Sequence, residues 1–142
     1  MKDLHHNLLP KVSLPAAAYT KAGGAVLGTV IDLQGFDGAL IEGFSGALGA
    51  QINSYELELQ HSDAESTGFE AVEAADIIGA EPTFVHTDAP DLDESNTVKT
   101  FGYIGARRYL RVDLKVPTGA GTGSGVVGAN VILGFPRHAP VA

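Results

Sequence analysis

From Tyr109 to Val116 every second residue is apolar: Leu110, Val112, Leu114 and Val116 alternate with Tyr109, Arg111, Asp113 and Lys115. The same period runs through Tyr55, Leu57 and Leu59, with Glu56, Glu58 and Gln60 between them. A period of two belongs to a β-strand; wound as a helix, these residues would carry charge into the core. One dry face and one wet face mark an antiparallel strand. The first set predicts Leu110, Val112, Leu114 and Val116 facing inward and the polar set facing water.

Further strand candidates are 25–31, 39–44, 69–72, 98–103 and 126–134, with a short one at 83–85, which makes seven or eight in all. Residues 45–50 read as a glycine-bearing loop, 61–68 as a polar loop, and 80–96 as an exposed loop holding Pro82 and Pro90. Residues 73–79 read as one helical turn closed by Gly79. Pro10, Pro15 and the Lys21-Ala22-Gly23-Gly24 joint make residues 1–24 an extended N-terminal arm, followed by one β domain over 25–142. Short strands joined by frequent turns favour antiparallel pairing. The fold class expected is all-β, an antiparallel sandwich or small barrel of jelly-roll-like kind. Nothing repeats at a fixed period, so a solenoid is excluded.

The 142 residues suit a single domain. The absence of cysteine removes disulfides, thiolate metal sites and thiol nucleophiles. A net charge of −8 argues against nucleic-acid binding and against attachment to anionic membranes. No apolar stretch is long enough to span a bilayer as a helix, and the charged start, Met1 to His6, lacks the apolar core of a signal peptide. The charge is segregated. Fifteen of the 17 acidic residues lie between Asp32 and Glu94, and no lysine or arginine occurs between Lys21 and Lys99. An acidic middle with basic flanks reads either as a solubilising surface or as complementarity between copies or with a larger assembly.

Tests for chemistry fail one by one. Gly123-Ser124-Gly125-Val126-Val127-Gly128 matches a dinucleotide-binding phrase by letters, but a strand follows it where a helix is required, so it reads as a glycine hairpin loop. Gly43-Phe44-Ser45-Gly46-Ala47 has alanine where a nucleophile elbow needs glycine. The histidines His5, His6, His61, His86 and His138 lack the spacing of a helical zinc site. Asp88, Asp91, Asp93 and Glu94 resemble part of a calcium loop without its central glycine and read as a solvated loop. The few aromatic residues are scattered along strands and form no base-stacking platform. No catalytic, cofactor-binding or metal-binding residues are expected, and the chain does not read as an enzyme.

Two groups of segments carry a resemblance. One is Ile31-Asp32-Leu33-Gln34-Gly35-Phe36-Asp37-Gly38-Ala39 with Leu57 to Asp63; the other is Phe101 to Val112 with Gly134 to Pro140. With the start, Met1 to His5, these resemble small structural proteins of tailed bacteriophages, above all capsid decoration (cement) proteins. The resemblance implies a virion protein assembled in the host cytoplasm. It implies a partner in the major capsid protein, self-association with a trimer favoured, and a role in clamping neighbouring capsomers. The alternatives are a head–tail or tail component and a carbohydrate- or host-binding β-module. The expected interface residues are Leu4, Leu8, Leu9 and Lys11 in the arm, and Arg107, Arg108, Arg111, Arg137 and His138 in the basic flank.

Overall fold

A computed structural model describes residues 3–49, 54–87, 92–120 and 123–138. Within them the chain is all-β. Its strands are β1 (Leu9–Thr20), β2 (Ile31–Asp32), β3 (Phe36–Leu48), β4 (Ser54–Ser62), β5 (Glu70–Ala71), β6 (Ile77–Ile78), β7 (Thr83–Thr87), β8 (Leu92–Asp93), β9 (Val98–Tyr103), β10 (Tyr109–Leu114) and β11 (Ser124–Pro136). They form two antiparallel sheets. One is five-stranded, in the order β1-β11-β3-β9-β6; the other runs β2-β10-β4-β7-β8, with β5 beside β4. The two dry faces share one core. Ile41, Val127, Val131, Leu133 and Phe101 of the first sheet meet Tyr55, Leu57, Leu59, Leu110, Val112 and Leu114 of the second. The alternation of Tyr55–Gln60 and Tyr109–Leu114 is therefore spent on a sandwich, as the period of two predicts.

The departures from expectation have local causes. The segment expected as an arm is, from Leu9 to Thr20, the edge strand β1, paired with β11 from Leu9↔Leu133 to Thr20↔Ser124. Pro10 and Pro15 do not prevent this, because an edge strand has one side free of ladder bonds. The candidate strand at 25–31 is broken. Val26 bridges Leu114, and the ladder resumes only at Ile31↔Leu110. One extra residue bulges out between these points. Strand β3 continues through the expected glycine loop as far as Leu48. The helical turn is a short 3₁₀ turn, Ala74–Asp76, that runs into β6.

The Gly123–Gly128 phrase is not a hairpin loop beyond its first residue. Gly125 and Gly128 lie inside β11, where a Cβ would come within 2.4 Å of the Tyr55 ring and 2.6 Å of the Phe44 ring respectively. These glycines make room for aromatic rings on opposite faces of one strand.

Two outcomes on β10 correct the alternation. Val116 lies beyond the strand and is 47 % exposed. Asp113, expected in water, is only 5 % exposed. Its Oδ1 accepts from the Gly28 N–H at 2.8 Å and its Oδ2 from Arg111 Nε at 3.1 Å. The bulged segment before β2 lies over it, and periodicity along β10 cannot register a covering segment some eighty residues away.

Candidate functional site

The basic flank folds back onto the acidic middle. Arg108 donates from Nε and Nη2 to the two carboxylate oxygens of Asp32, each at 2.8 Å. Arg137 donates to Asp37 at 2.8 Å, and Arg107 pairs with Glu70. Lys115 reaches Glu56 at 2.6 Å and Glu58 at 3.3 Å, and Lys99 reaches Glu94 at 2.7 Å. The Arg108 guanidinium holds the Asp32 carboxyl below the usual aspartate range. The complementarity visible in the sequence is thus satisfied in large part within one molecule.

Arg107, Arg108 and Arg137 do converge, around a cleft of about 540 Å³ between residues 33–39 and 105–108. Beneath it, buried His61 Nδ1 lies 2.9 Å from the Tyr103 hydroxyl, which also accepts from the Arg107 N–H at 3.2 Å. Burial pushes the Tyr103 hydroxyl up from its ordinary pKa. This network holds residues 104–107 against the end of the sandwich. Arg111 lies elsewhere. Its side chain is 17 % exposed, bonded to Asp113 and to Gln60 Oε1 at 2.6 Å, and its guanidinium sits 4.4 Å from the Phe69 ring centroid. It props the outer side of β10 and has little surface to offer a partner.

Of the remaining expected interface residues, Leu4 and His138 are exposed, Lys11 is exposed on β1, and Leu9 packs against the core. Leu8 joins a feature that alternation did not announce. The outward face of the five-stranded sheet is apolar. Pro10, Ile132, Leu40, Gly102 and Ile78 are register partners in one row across all five strands. The adjacent row, Leu9, Leu133, Ala39, Tyr103 and Ile77, faces the core. Along the outward row runs a groove of about 350 Å³, walled by Leu8, Ile78, Ile104 and Phe135. Gly38, Gly102 and Gly134 let Phe135, Ile78 and Leu8 lie close over its floor, since none carries a Cβ. Phe135 is 79 % exposed and holds φ at 51°, a left-handed backbone that few bulky residues adopt. Its ring lies against Gly38, where a Cβ would come within 2.8 Å of it.

The signal for this face is present in the sequence as a lack of alternation. Ala39-Leu40-Ile41 and Val131-Ile132-Leu133 are apolar on consecutive residues, the pattern of strands covered on both sides. Among the described residues no three histidines or acids gather as a metal cluster, and Asp88, Pro90 and Asp91 of the acidic loop lie outside them. Glu94, expected in the solvated loop, accepts from the Val85 N–H at 2.8 Å and pairs with Lys99.

No family model matches the chain, and no curated protein matches it.

Proposed function

We propose that the chain is a structural protein of a tailed-bacteriophage particle, binding the outside of the assembled capsid and stabilising it by bridging capsomers. The observation that carries this reading is the apolar outward face of the five-stranded sheet, with Leu40, Ile78, Ile104, Ile132 and Phe135 turned to water. A contiguous apolar face of this kind marks a protein contact. The phage-like segments Ile31–Ala39 and Phe101–Val112 bring the resemblance, and the first of these begins strand-to-strand with the second at Ile31↔Leu110. A protein that binds only the assembled shell stabilises that shell by mass action, and many modest contacts add to a large total. The partners are the major capsid protein and further copies of the chain, with a trimer favoured by the resemblance, and the location is the virion surface.

The test is a density map of purified particles of the phage that encodes the chain, with copy number from quantitative mass spectrometry. Density spread over the shell is expected. Density confined to one vertex reassigns the chain to the head–tail junction, and its absence from particles overturns the reading.

A further inference from the structure

Residues 105–107 form a strap fixed at both ends and held down in the middle. At one end the Ile104 N–H donates to the Asp76 carbonyl at 2.9 Å; at the other the Arg108 carbonyl accepts from the Leu33 N–H at 2.9 Å. Between these points the strap lies on Tyr103, whose hydroxyl would be 2.5 Å from a Cβ at Gly105. Two bonds hold the middle, both at Arg107. Its N–H donates to the Tyr103 hydroxyl at 3.2 Å, and its guanidinium pairs with Glu70. Gly105, Ala106 and Arg107 form one wall of the cleft that Arg108 and Arg137 also line.

His61 is placed to control both bonds, and a count of hydrogens fixes its state. A tyrosine hydroxyl has one hydrogen to give. Among the described residues the Tyr103 hydroxyl has two partners, the Arg107 N–H and His61 Nδ1 at 2.9 Å. The first is a donor only, so the hydroxyl accepts there and gives its hydrogen to His61. Nδ1 is therefore the accepting nitrogen of a neutral ring, and the ring hydrogen sits on Nε2. Nε2 lies 4.0 Å from Glu70 Oε1, the same oxygen that pairs with Arg107. His61 is 5 % exposed and Tyr103 4 %, so little water reaches the pair to replace a lost partner.

We propose that His61 is a proton-operated latch on this strap. Protonation puts a hydrogen on Nδ1, which then donates where it had accepted. The Tyr103 hydroxyl turns its own hydrogen away and accepts from His61 in competition with the Arg107 N–H. The imidazolium also brings a positive charge to within 4.0 Å of Glu70 and competes with the Arg107 guanidinium for one carboxylate oxygen. Both bonds of Arg107 weaken together, while Ile104 and Arg108 keep theirs. The strap lifts in its middle and the cleft loses a wall. The groups that face His61 are Tyr103 from β9, Glu70 from β5 and, through Glu70, Arg107; its register partner on β10, Leu110, is apolar. Asp63 and Asp76 also act on Tyr103, and their negative charge keeps its hydroxyl protonated.

The latch does not depend on which particle the chain belongs to, and it is tested on the free chain. Nuclear magnetic resonance of the full chain is followed from about pH 8 to about pH 5, the span in which histidine ordinarily changes charge. At the upper end the His61 ring is expected to carry hydrogen on Nε2 alone; hydrogen on Nδ1 overturns the inference. As the His61 ring titrates, amide-exchange protection at residue 107, corrected for the intrinsic rate, is expected to fall at least about ten-fold, the worth of one hydrogen bond. Protection at Leu59 and Val112 in the core is expected to stay constant. His61→Gln keeps an oxygen that can accept from Tyr103 and cannot titrate, so its strap is expected to stay equally protected at every pH in the span. Glu70→Gln, at an exposed residue, removes the charge that draws in the imidazolium and is expected to lower the pH at which the His61 ring titrates. In the wild type alone, a His61 ring that titrates with no change at residue 107, or one that stays neutral down to pH 5 in the folded chain, overturns the inference. So does a strap that loosens alike in folded His61→Gln.

Discussion

The Ser13 hydroxyl accepts a hydrogen bond from the Val112 N–H at 2.8 Å and donates to the Thr29 carbonyl at 2.8 Å. Ser13 belongs to β1 in one sheet and Val112 to β10 in the other, so a single side chain stitches the sandwich along one side. Two local irregularities make this possible. The β1–β11 register shifts between Val12 and Leu14, which turns Ser13 inward, and the bulge before β2 leaves Val112, paired with Leu59 on its other side, without a partner on the β2 side. The Thr29 N–H returns a bond to the Ser13 carbonyl at 2.7 Å.

Ser13→Ala therefore strands a buried N–H. A loss of about 1–3 kcal/mol is expected, the cost of desolvating an unpaired amide. Urea unfolding measures it, and a midpoint equal to that of the wild type would show that the seam contributes nothing.

Asp113 and Glu81 give the fold an inverted pH response. Burial raises the Asp113 carboxyl above its ordinary 3.8 and the Glu81 carboxyl above its ordinary 4.5. Between the unfolded and the folded pKa the native state holds more protons than the unfolded chain, so stability falls as pH rises through that window. Asp32 acts in the opposite sense: its folded pKa is depressed, and its contribution is lost as pH falls below 3.8. Asp113→Asn keeps an oxygen available to the Gly28 N–H and removes the ionisation. Urea midpoints measured from the ordinary aspartate pKa upward are expected to decline less in this variant than in the wild type.

Tyr103→Phe removes the hydroxyl that His61 Nδ1 and the Arg107 N–H share. A loss of about 1–3 kcal/mol is expected. Amide hydrogen exchange at residue 107 is expected to accelerate beyond what global destabilisation accounts for, since this bond ties residues 104–107 to the sandwich.

Two glycine variants are expected to diverge. A Cβ at Gly28 would lie 2.0 Å from the Val112 carbonyl oxygen and 2.9 Å from the Ser13 hydroxyl, which its own two hydrogen bonds hold in place. Gly28→Ala is expected to cost about 3 kcal/mol or more, or to prevent folding. A Cβ at Gly102 meets Ile78 at an ordinary 3.5 Å. Gly102→Ala is expected to be neutral or to stabilise by up to about 1 kcal/mol, as strand alanine does relative to glycine. Thermal melts of the pair decide both.

The sheets were legible wherever one face is wet. Leu57 and Leu59 and their partners Leu114 and Val112, with Tyr55 and Leu110 on the same two strands, announce themselves because water on the other side enforces polar residues. Asp113 reads as exposed because the segment that covers it is remote in sequence. The face of Leu40 and Ile132 is hidden from periodicity for the converse reason: apolar residues on consecutive positions carry no period. Among the basic residues the sequence places Arg107, Arg108, Arg111 and Arg137 in one flank, but only the fold shows that Arg107, Arg108 and Arg137 share a cleft while Arg111 leans on Phe69. The proline-bearing β1 looked like an arm because its partner, β11, lies more than a hundred residues away.

That last pairing has a consequence for synthesis. Strand β1 can find its ladder only after β11 has left the ribosome, and β11 is also the strand on which β3 depends. Until then Leu14 has no ladder to hold it over the core, and β3 has only β9 beside it. Folding is thus governed by contacts between distant parts of the chain and is expected to be slow and nearly all-or-none, with the nascent protein relying on chaperones for most of its elongation.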